Sequence, residues 1–289
     1  MSFDTVTVRG GFQILKPTLS ARARMFLRMI FALNPSLRES ILFRESRLSF
    51  SLQKFVQRPL GGAQRAQIRY TEGAAAGNVF ECDTSEKYFM LGSHFEHEII
   101  AALRGVVKPG DVVYDVGSHA GYMALSLSRL CEPNGRVYAF EPSQINFQRL
   151  SRHVALNDKS GITLVNMAAS DVEGSARLAE DGSFSYILSE SNLPDMATCE
   201  IRTIRLDDYV YRDQGAPPGV VKIDVEGHAG RALAGMRGIL SKLRPKLICE
   251  LHDSKESHDV LSILSEHSYA VSYLDREKGF PRRLVAKPI

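Results

Sequence analysis

Val112-Val-Tyr-Asp-Val-Gly-Ser-His-Ala-Gly-Tyr122 decides the fold. A short β-favouring run around Asp115 enters a glycine turn, and a helical pattern follows from Tyr122 to Leu130. Strand, glycine turn and helix in that order form the repeating unit of parallel α/β sheets, whose ligands collect beyond the carboxyl ends of the strands. Gly117 and Gly121 would let backbone approach a ligand closely, and Asp115 would set a carboxylate at the strand tip to order a cation or an amino group. The chain contains neither GxGxxG nor GxxxxGK[ST], which disfavours a pyrophosphate on the helix N-terminus and a P-loop.

Outward from this turn, the same alternation continues in both directions. Upstream, a helix is predicted over His94–Val107, ending at the Pro109-Gly110 break. Downstream come strand Arg136–Phe140, helix Ile145–Leu156 and strand Ile162–Val165. After a pause the rhythm resumes with strand Val220–Val225, helix Ala229–Leu243, strand Lys246–Leu251, helix Val260–His267, and strands near Val271–Leu274 and Arg283–Ala286. Residues 93–289 are therefore expected to form a three-layer α/β domain, a mostly parallel sheet with helices on both faces. Between Asp171 and Tyr209, the pieces Ser175–Leu178, Phe184–Leu188 and Glu200–Arg205 predict an inserted hairpin. Residues 1–92 read as an N-terminal appendage with two features. An amphipathic helix over Ser20–Leu33 would pack on its own domain or on a second subunit, with a membrane surface as the alternative, and a hairpin would join Gln67–Tyr70 to Asn78–Cys82 around Gly73–Gly77.

Composition limits the functional classes. The chain has 289 residues with 44% hydrophobic and 24% charged, an ordinary globular balance. Thirty-six basic residues against 33 acidic ones leave +3, which argues against a protein that coats nucleic acid. Cys82, Cys131, Cys199 and Cys249 are widely separated, so neither a zinc finger nor a disulfide scaffold is indicated, and reduced thiols in the cytoplasm are expected. The N-terminus lacks the pattern of a signal peptide, and Met25–Leu33, which carries Arg28, is too short to span a bilayer of about 20 residues. No transmembrane helix is predicted.

The second strand tip adds chemistry. Glu141, in Phe140-Glu141-Pro142, stands twenty positions past Gly121, where a carboxylate can accept hydrogen bonds from both ribose hydroxyls. That geometry serves NAD and S-adenosylmethionine equally. Together, Asp115-Val-Gly-Ser-His-Ala-Gly-Tyr122, Phe140-Glu-Pro-Ser-Gln-Ile-Asn-Phe147 and Val221-Lys-Ile-Asp-Val-Glu-Gly-His228 resemble the FkbM-type family of S-adenosylmethionine-dependent methyltransferases. The likeness covers roughly residues 95–275, with Lys222–His228 its most specific element.

The resemblance implies a Rossmann-like methyltransferase sheet and O-methylation of a hydroxyl on a small molecule, a sugar or secondary metabolite. It also implies site roles. Asp115, Gly117, Ser118 and Gly121 match the cofactor loop, in which His119 and Tyr122 could contact the methionine moiety or merely pack, Glu141 with Pro142 the ribose carboxylate, and Asn146 a polar position in the next helix. Asn157 matches a structural asparagine, Ala168 a turn near the adenine, and Glu96 a glutamate near the cofactor's amino group. Gln144 and Ala229 depart from the pattern, the first where proline is frequent and the second where an acidic residue commonly follows the Gly-His pair.

Methyl transfer from a sulfonium mainly needs alignment, exclusion of water and removal of the acceptor's proton. Alternation along Val220–Glu226 sets Lys222, Asp224 and Glu226 on one side of the strand, where burial demands partners, a ligand or a cleft. Asp224 is the first candidate for acceptor positioning or base and His228 the second, with Glu250 and His252 orienting the acceptor from the neighbouring strand tip. Carboxylates plus imidazole would also suit a magnesium- or manganese-like ion, but no metal is predicted. The expected partner is a small hydroxylated acceptor, with no nucleic acid; self-association is left open. Alternatives are a non-catalytic binding module on the same fold, a nicotinamide-dependent oxidoreductase, disfavoured by the absent GxGxxG, and methylation of an amine or carboxylate.

Overall fold

The computed structural model of the chain describes residues 6–8, 12–14, 65–83, 96–159, 161–181, 184–187, 198–213, 215–275 and 279–289. It divides into two compact units, Met1–His97 and Glu98–Ile289. In the first, β1 (Val6–Val8), β2 (Phe12–Ile14), β3 (Arg65–Tyr70) and β4 (Val79–Asp83) form an antiparallel sheet in chain order. The hairpin expected around Gly73–Gly77 is the β3–β4 pair, closed by Gly77 N–H donating to Tyr70 O at 2.7 Å. Alternation buries Ile68, Tyr70 and Phe80, and the two rings meet edge to face at 5.3 Å. The predicted helix Ser20–Leu33 and the start of the helix predicted from His94 lie outside the described residues.

The second unit follows the predicted rhythm. Helix α1 (His97–Val106) starts at the boundary, followed by β5 (Val112–Val116), α2 (Tyr122–Cys131), β6 (Arg136–Phe140), α3 (Gln144–Leu156) and β7 (Ile162–Val165). Next come β8 (Ala168–Ala169), β9 (Gly174–Asp181), β10 (Phe184–Ile187), β11 (Thr198–Ile204) and α4 (Leu206–Tyr211). The chain closes with β12 (Val220–Ile223), α5 (Ala229–Ala234), α6 (Arg237–Lys242), β13 (Lys246–Leu251), α7 (Ser254–Glu266), β14 (Tyr269–Tyr273) and β15 (Arg282–Pro288).

Seven strands make one sheet in the order β14-β15-β13-β12-β5-β6-β7, in which β15 runs against its neighbours and the other pairings are parallel. From β5 the chain steps one way to β6 and β7, then crosses to β12 and β13 on the other side. Right-handed crossovers in opposite directions put the connecting helices on opposite faces, and the crevice between β5 and β12 is the topological switch point. Tyr114, Val116, Val221, Ile223, Leu247 and Cys249 point to the face covered by α4–α7, where the largest part of the core sits. Asp115 and Lys222 have the opposite parity and are directly paired in register.

Four local expectations need correction. Helix Ala229–Leu243 is two helices, because Gly235 passes so close to Ser170 that a Cβ there would lie 1.8 Å from its carbonyl oxygen. The second helix restarts on Asp207, whose two carboxylate oxygens accept from Gly238 N and Ile239 N at 2.8 Å each. Helix Val260–His267 begins earlier, at Ser254, on an Asp253 cap that accepts from Glu256 N at 2.8 Å. Strand Val220–Val225 stops at Ile223, since Val225 O accepts from His228 N and Gly227 (φ +76) reverses the chain. The insert is more than a hairpin: β11 joins β9 and β8 in a sheet of order β10-β9-β11-β8, and α4 follows it. No helix among the described residues is long and apolar enough to cross a membrane.

Candidate active site

At the tip of β5 the chain folds back on β6. Gly117 N–H and Ser118 N–H both donate to Phe140 O, at 3.0 and 2.9 Å, and Gly121 N–H closes the turn on Ser118 O at 2.8 Å. Ser118 Oγ donates to Asp115 O, so its hydroxyl serves the loop itself. His119 takes the left-handed conformation (φ +48) and its N–H donates to Glu141 Oε2 at 2.8 Å. Ser143 N–H donates to Glu141 Oε1 at 2.9 Å, and Ser143 Oγ caps α3 by accepting from Asn146 N. Glu141 thus joins the tips of β5 and β6, 5% exposed. Burial pushes its carboxyl up to about 7, against the opposing pull of the Ser143 and His119 N–H groups.

Some sequence-predicted roles move. Gly117 and Gly121 both have φ near +90°, but their missing side chains make room for the protein rather than for a ligand. A Cβ on Gly117 would lie 1.9 Å from the Asp224 carbonyl oxygen, and one on Gly121 would lie 2.6 Å from Leu150 Cδ1. Asp115 is not an open carboxylate at the tip: it is fully buried with Oδ1 3.5 Å from Lys222 Nζ, and burial raises its pKa against the opposing Lys222 charge. Ala168 belongs to no turn; it is a strand residue paired with Thr203. Tyr122 begins α2 partly buried, Pro142 is partly buried beside Glu141, and Asn146 is buried at the start of α3. Glu96 belongs to the first unit.

The tips of β12 and β13 bring Asp224, Glu250 and His252 together as expected. Lys222 Nζ lies 3.1 Å from Asp224 Oδ2, and Arg283 Nε donates to Glu250 Oε2 at 3.0 Å. The other oxygen of each carboxylate turns toward His252 Nε2, Asp224 Oδ1 at 3.7 Å and Glu250 Oε1 at 3.9 Å, with Glu226 Oε2 at 3.4 Å. Burial would raise the Asp224 carboxyl, but Lys222 and His252 outweigh it and hold the group below its usual range. Burial would lower the His252 imidazole, but Glu256, Glu226 and Asp224 push it up to about 9. With its pKa pushed up, His252 is a poor proton acceptor at neutral pH, while burial raises the Glu226 and Glu250 carboxyls above their usual range. Asp224, Glu250 and His252 each offer one ligand atom, all within 4.8 Å of one another, and so could hold a metal ion.

His228 does not join this cluster. The Gly227 reversal sends its ring to the opposite side of the turn, where Nε2 lies 3.1 Å from Ser170 Oγ, and burial with Arg231 pushes it down to about 4. Sequence reasoning missed two residues. Glu256, buried on α7, accepts from Ala229 N at 2.8 Å and His252 N at 2.6 Å, tying the loop after β12 to the tip of β13. The signal was present: Asp253 followed three residues later by Glu256 marks a helix start. Asn166 ties β7 to the second tip through Nδ2, donating to Glu141 O at 2.8 Å and Pro142 O at 3.2 Å; nothing in the sequence pattern singles it out.

Known proteins are similar to parts of this chain. Residues 115–279, more than half of it, match the methyltransferase FkbM domain. The hexuronic acid methyltransferase AglP of Haloferax volcanii is 29% identical over 187 residues, 64% of this chain and 75% of that protein. The 31-O-demethyl-FK506 methyltransferase FkbM of Streptomyces tacrolimicus is 26% identical over 234 residues, 71% of this chain and 88% of that protein. A solved methyltransferase FkbM from Methylobacillus flagellatus aligns at 21% identity and a TM-score of 0.46, covering 69% of this chain and 52% of that one, so this chain spans about half of its length. By the match that begins at Asp115 and runs through both strand tips and the Lys222–His228 segment, this chain belongs to the FkbM family of methyltransferase enzymes.

Proposed function

We propose that Glu98–Ile289 binds S-adenosylmethionine at the tips of β5 and β6 and transfers its methyl to a hydroxyl of a small molecule, a sugar or secondary metabolite, with the preceding residues as an appendage. One observation carries the reading: Gly117, in the candidate donor loop, packs against the carbonyl of Asp224, in the candidate acceptor cluster. Donor and acceptor residues therefore meet at the switch point, where ligands of such sheets bind. The names of AglP and FkbM support methylation of a sugar or a secondary metabolite.

The residues fit the donor. Each Glu141 oxygen accepts one backbone N–H and the Asn146 side chain also bonds to the carboxylate, which leaves acceptor capacity for a ribose hydroxyl. When bound, the donor supplies an activated sulfonium methyl. Glu141 holds the ribose, the His119 and Ser143 N–H groups fix Glu141, and Asp224 orients the acceptor hydroxyl and takes up its proton as the methyl passes from sulfur to the hydroxyl oxygen. Glu250 and His252 bound the acceptor on the β13 side, and Glu256 fixes the backbone of His252.

Labelled donor incubated with pooled glycosides, nucleotide sugars, polyketides and lipids tests the activity; S-adenosylhomocysteine binding without any transfer would leave a binding module. Calorimetry tests the donor site. Glu141→Ala should weaken S-adenosylhomocysteine binding by about 1–3 kcal/mol through loss of the ribose hydrogen bonds. Ribose hydroxyls donate to the ionised carboxylate, whose free pKa lies at about 7. Affinity should therefore rise between about pH 6 and pH 8, by up to roughly tenfold per unit on the acid side, with proton release on binding. A flat profile together with an unchanged Glu141→Ala affinity would remove Glu141 from the ribose site.

A further inference from the structure

Resting on that reading for its role toward the acceptor, we infer that Asp224, Glu250 and His252 form a site for a magnesium- or manganese-like divalent cation, and that the ion holds the acceptor by two neighbouring oxygens. The ground is where the polar atoms of these side chains point. His252 Nε2 faces Asp224 Oδ1 at 3.7 Å, Glu250 Oε1 at 3.9 Å and Glu226 Oε2 at 3.4 Å. Asp224, Glu250 and His252 each offer one ligand atom, all within 4.8 Å of one another. Ligands bonded to one such ion at about 2.1 Å lie about 3 Å apart when adjacent and about 4.2 Å apart when opposite, so these separations suit an ion between the atoms better than hydrogen bonds. Glu250 adds a separate reason. Its side chain is only 10% exposed, yet among the described residues nothing donates to its Oε1. A buried carboxylate oxygen without a donor is costly, and the space it faces is the one that His252 Nε2 also faces.

Each ligand is held from behind. Lys222 Nζ donates to Asp224 Oδ2 at 3.1 Å and Arg283 Nε to Glu250 Oε2 at 3.0 Å, which leaves Oδ1 and Oε1 for the ion. Glu256 Oε2 lies 3.5 Å from His252 Nδ1 and accepts the His252 backbone N–H at 2.6 Å. A carboxylate behind one ring nitrogen keeps the proton there and aims the lone pair of the other at the metal. The ion takes the place of a proton on Nε2, so His252 is no base with or without it. Two carboxylates and one imidazole leave further positions of an octahedral shell open, beside Glu226. A vicinal diol, or a hydroxyl next to a carboxylate, would fill two of them. A hydroxyl on the ion is acidified, which eases transfer of its proton to Asp224.

Manganese(II) alone, titrated into the chelator-stripped full chain, tests the site through loss of the free ion's electron paramagnetic resonance signal. One ion per chain should bind below about 1 mM, and its electron spin echo should carry modulation from an imidazole nitrogen. His252→Gln should abolish that modulation, and His252→Gln and Glu250→Gln should each weaken binding by about tenfold or more. Methyl transfer should fall on chelation and return with manganese. No binding up to about 1 mM, a bound ion without the nitrogen modulation, or transfer indifferent to the chelator would overturn the inference while leaving the methyltransferase reading intact. The modulation is read on the unaltered chain, so it decides the matter even if the variants fold poorly. A bound ion with the modulation but no transfer to any acceptor would keep the site and overturn its role together with the methyltransferase reading.

Discussion

Gly117→Ala should lower stability by about 3–5 kcal/mol and abolish most methyl transfer, whereas Gly121→Ala should lower stability by only about 1–2 kcal/mol. Both positions have φ near +90°, where a Cβ carries a penalty of roughly 1–2 kcal/mol. They differ in what the new carbon meets. At 117 it would lie 1.9 Å from the carbonyl oxygen of Asp224, a backbone atom of a residue whose own N–H is bonded to Val116 O at 3.0 Å. Relief requires the two strand tips to separate, which moves the donor loop and the acceptor carboxylate apart. At 121 the new carbon would meet Leu150 Cδ1 at 2.6 Å, the end of a flexible side chain that can turn aside. Urea unfolding of the two variants, with S-adenosylhomocysteine titrations on each, measures the difference. Equal losses at the two positions would show that the contact with Asp224 yields as easily as a leucine rotamer, and the proposed coupling of donor and acceptor sites would lose its structural basis.

The unequal behaviour expected of these glycines also shows where sequence reading reaches its limit. The turn after Val116 and the carboxylate at Glu141 were legible because they follow strands of plain β character, and strand ends are where the fold gathers function. Asp224, Glu250 and His252 were legible together because charge at the end of a buried strand needs a reason. What spacing cannot convey is direction. His228 is two residues from Glu226, yet one glycine with positive φ turns it toward Ser170, 58 positions earlier in the chain. Asp115 looked like a ligand group, but its register opposite Lys222 in the neighbouring strand commits it to the interior. Glu256 is marked only by its spacing from Asp253, because the first turns of α7, Ser254-Lys-Glu-Ser-His-Asp259, have no apolar periodicity. Gly235 and Asp207 divide a helix through contacts with Ser170 and the start of α6 that no local pattern encodes. Long-range contact, not propensity, decides the orientation of His228, the burial of Asp115 and the break at Gly235.

Asp224→Asn should reduce turnover by about 10²–10⁴-fold while leaving S-adenosylhomocysteine affinity within about twofold. The amide keeps the size of the carboxylate and can still accept a hydrogen bond, but it is too weak a base to take up the acceptor's proton. Neighbouring groups are poor substitutes. His252, pushed up to about 9, is already protonated at neutral pH, Glu250 is tied to Arg283, and His228 faces away toward Ser170. Lys222 would lose its nearer partner but keep Asp115 at 3.5 Å, so a stability loss of about 1–3 kcal/mol is expected and the chain should stay folded. Single-turnover rates at saturating donor separate chemistry from binding, and a urea titration checks the fold. Equal losses in turnover and donor affinity would move Asp224 into the donor site. An unchanged rate would mean that the hydroxyl needs no carboxylate at this position, because alignment with the sulfonium suffices, and Glu226, the most exposed carboxylate around His252 Nε2, would then be the next residue to replace.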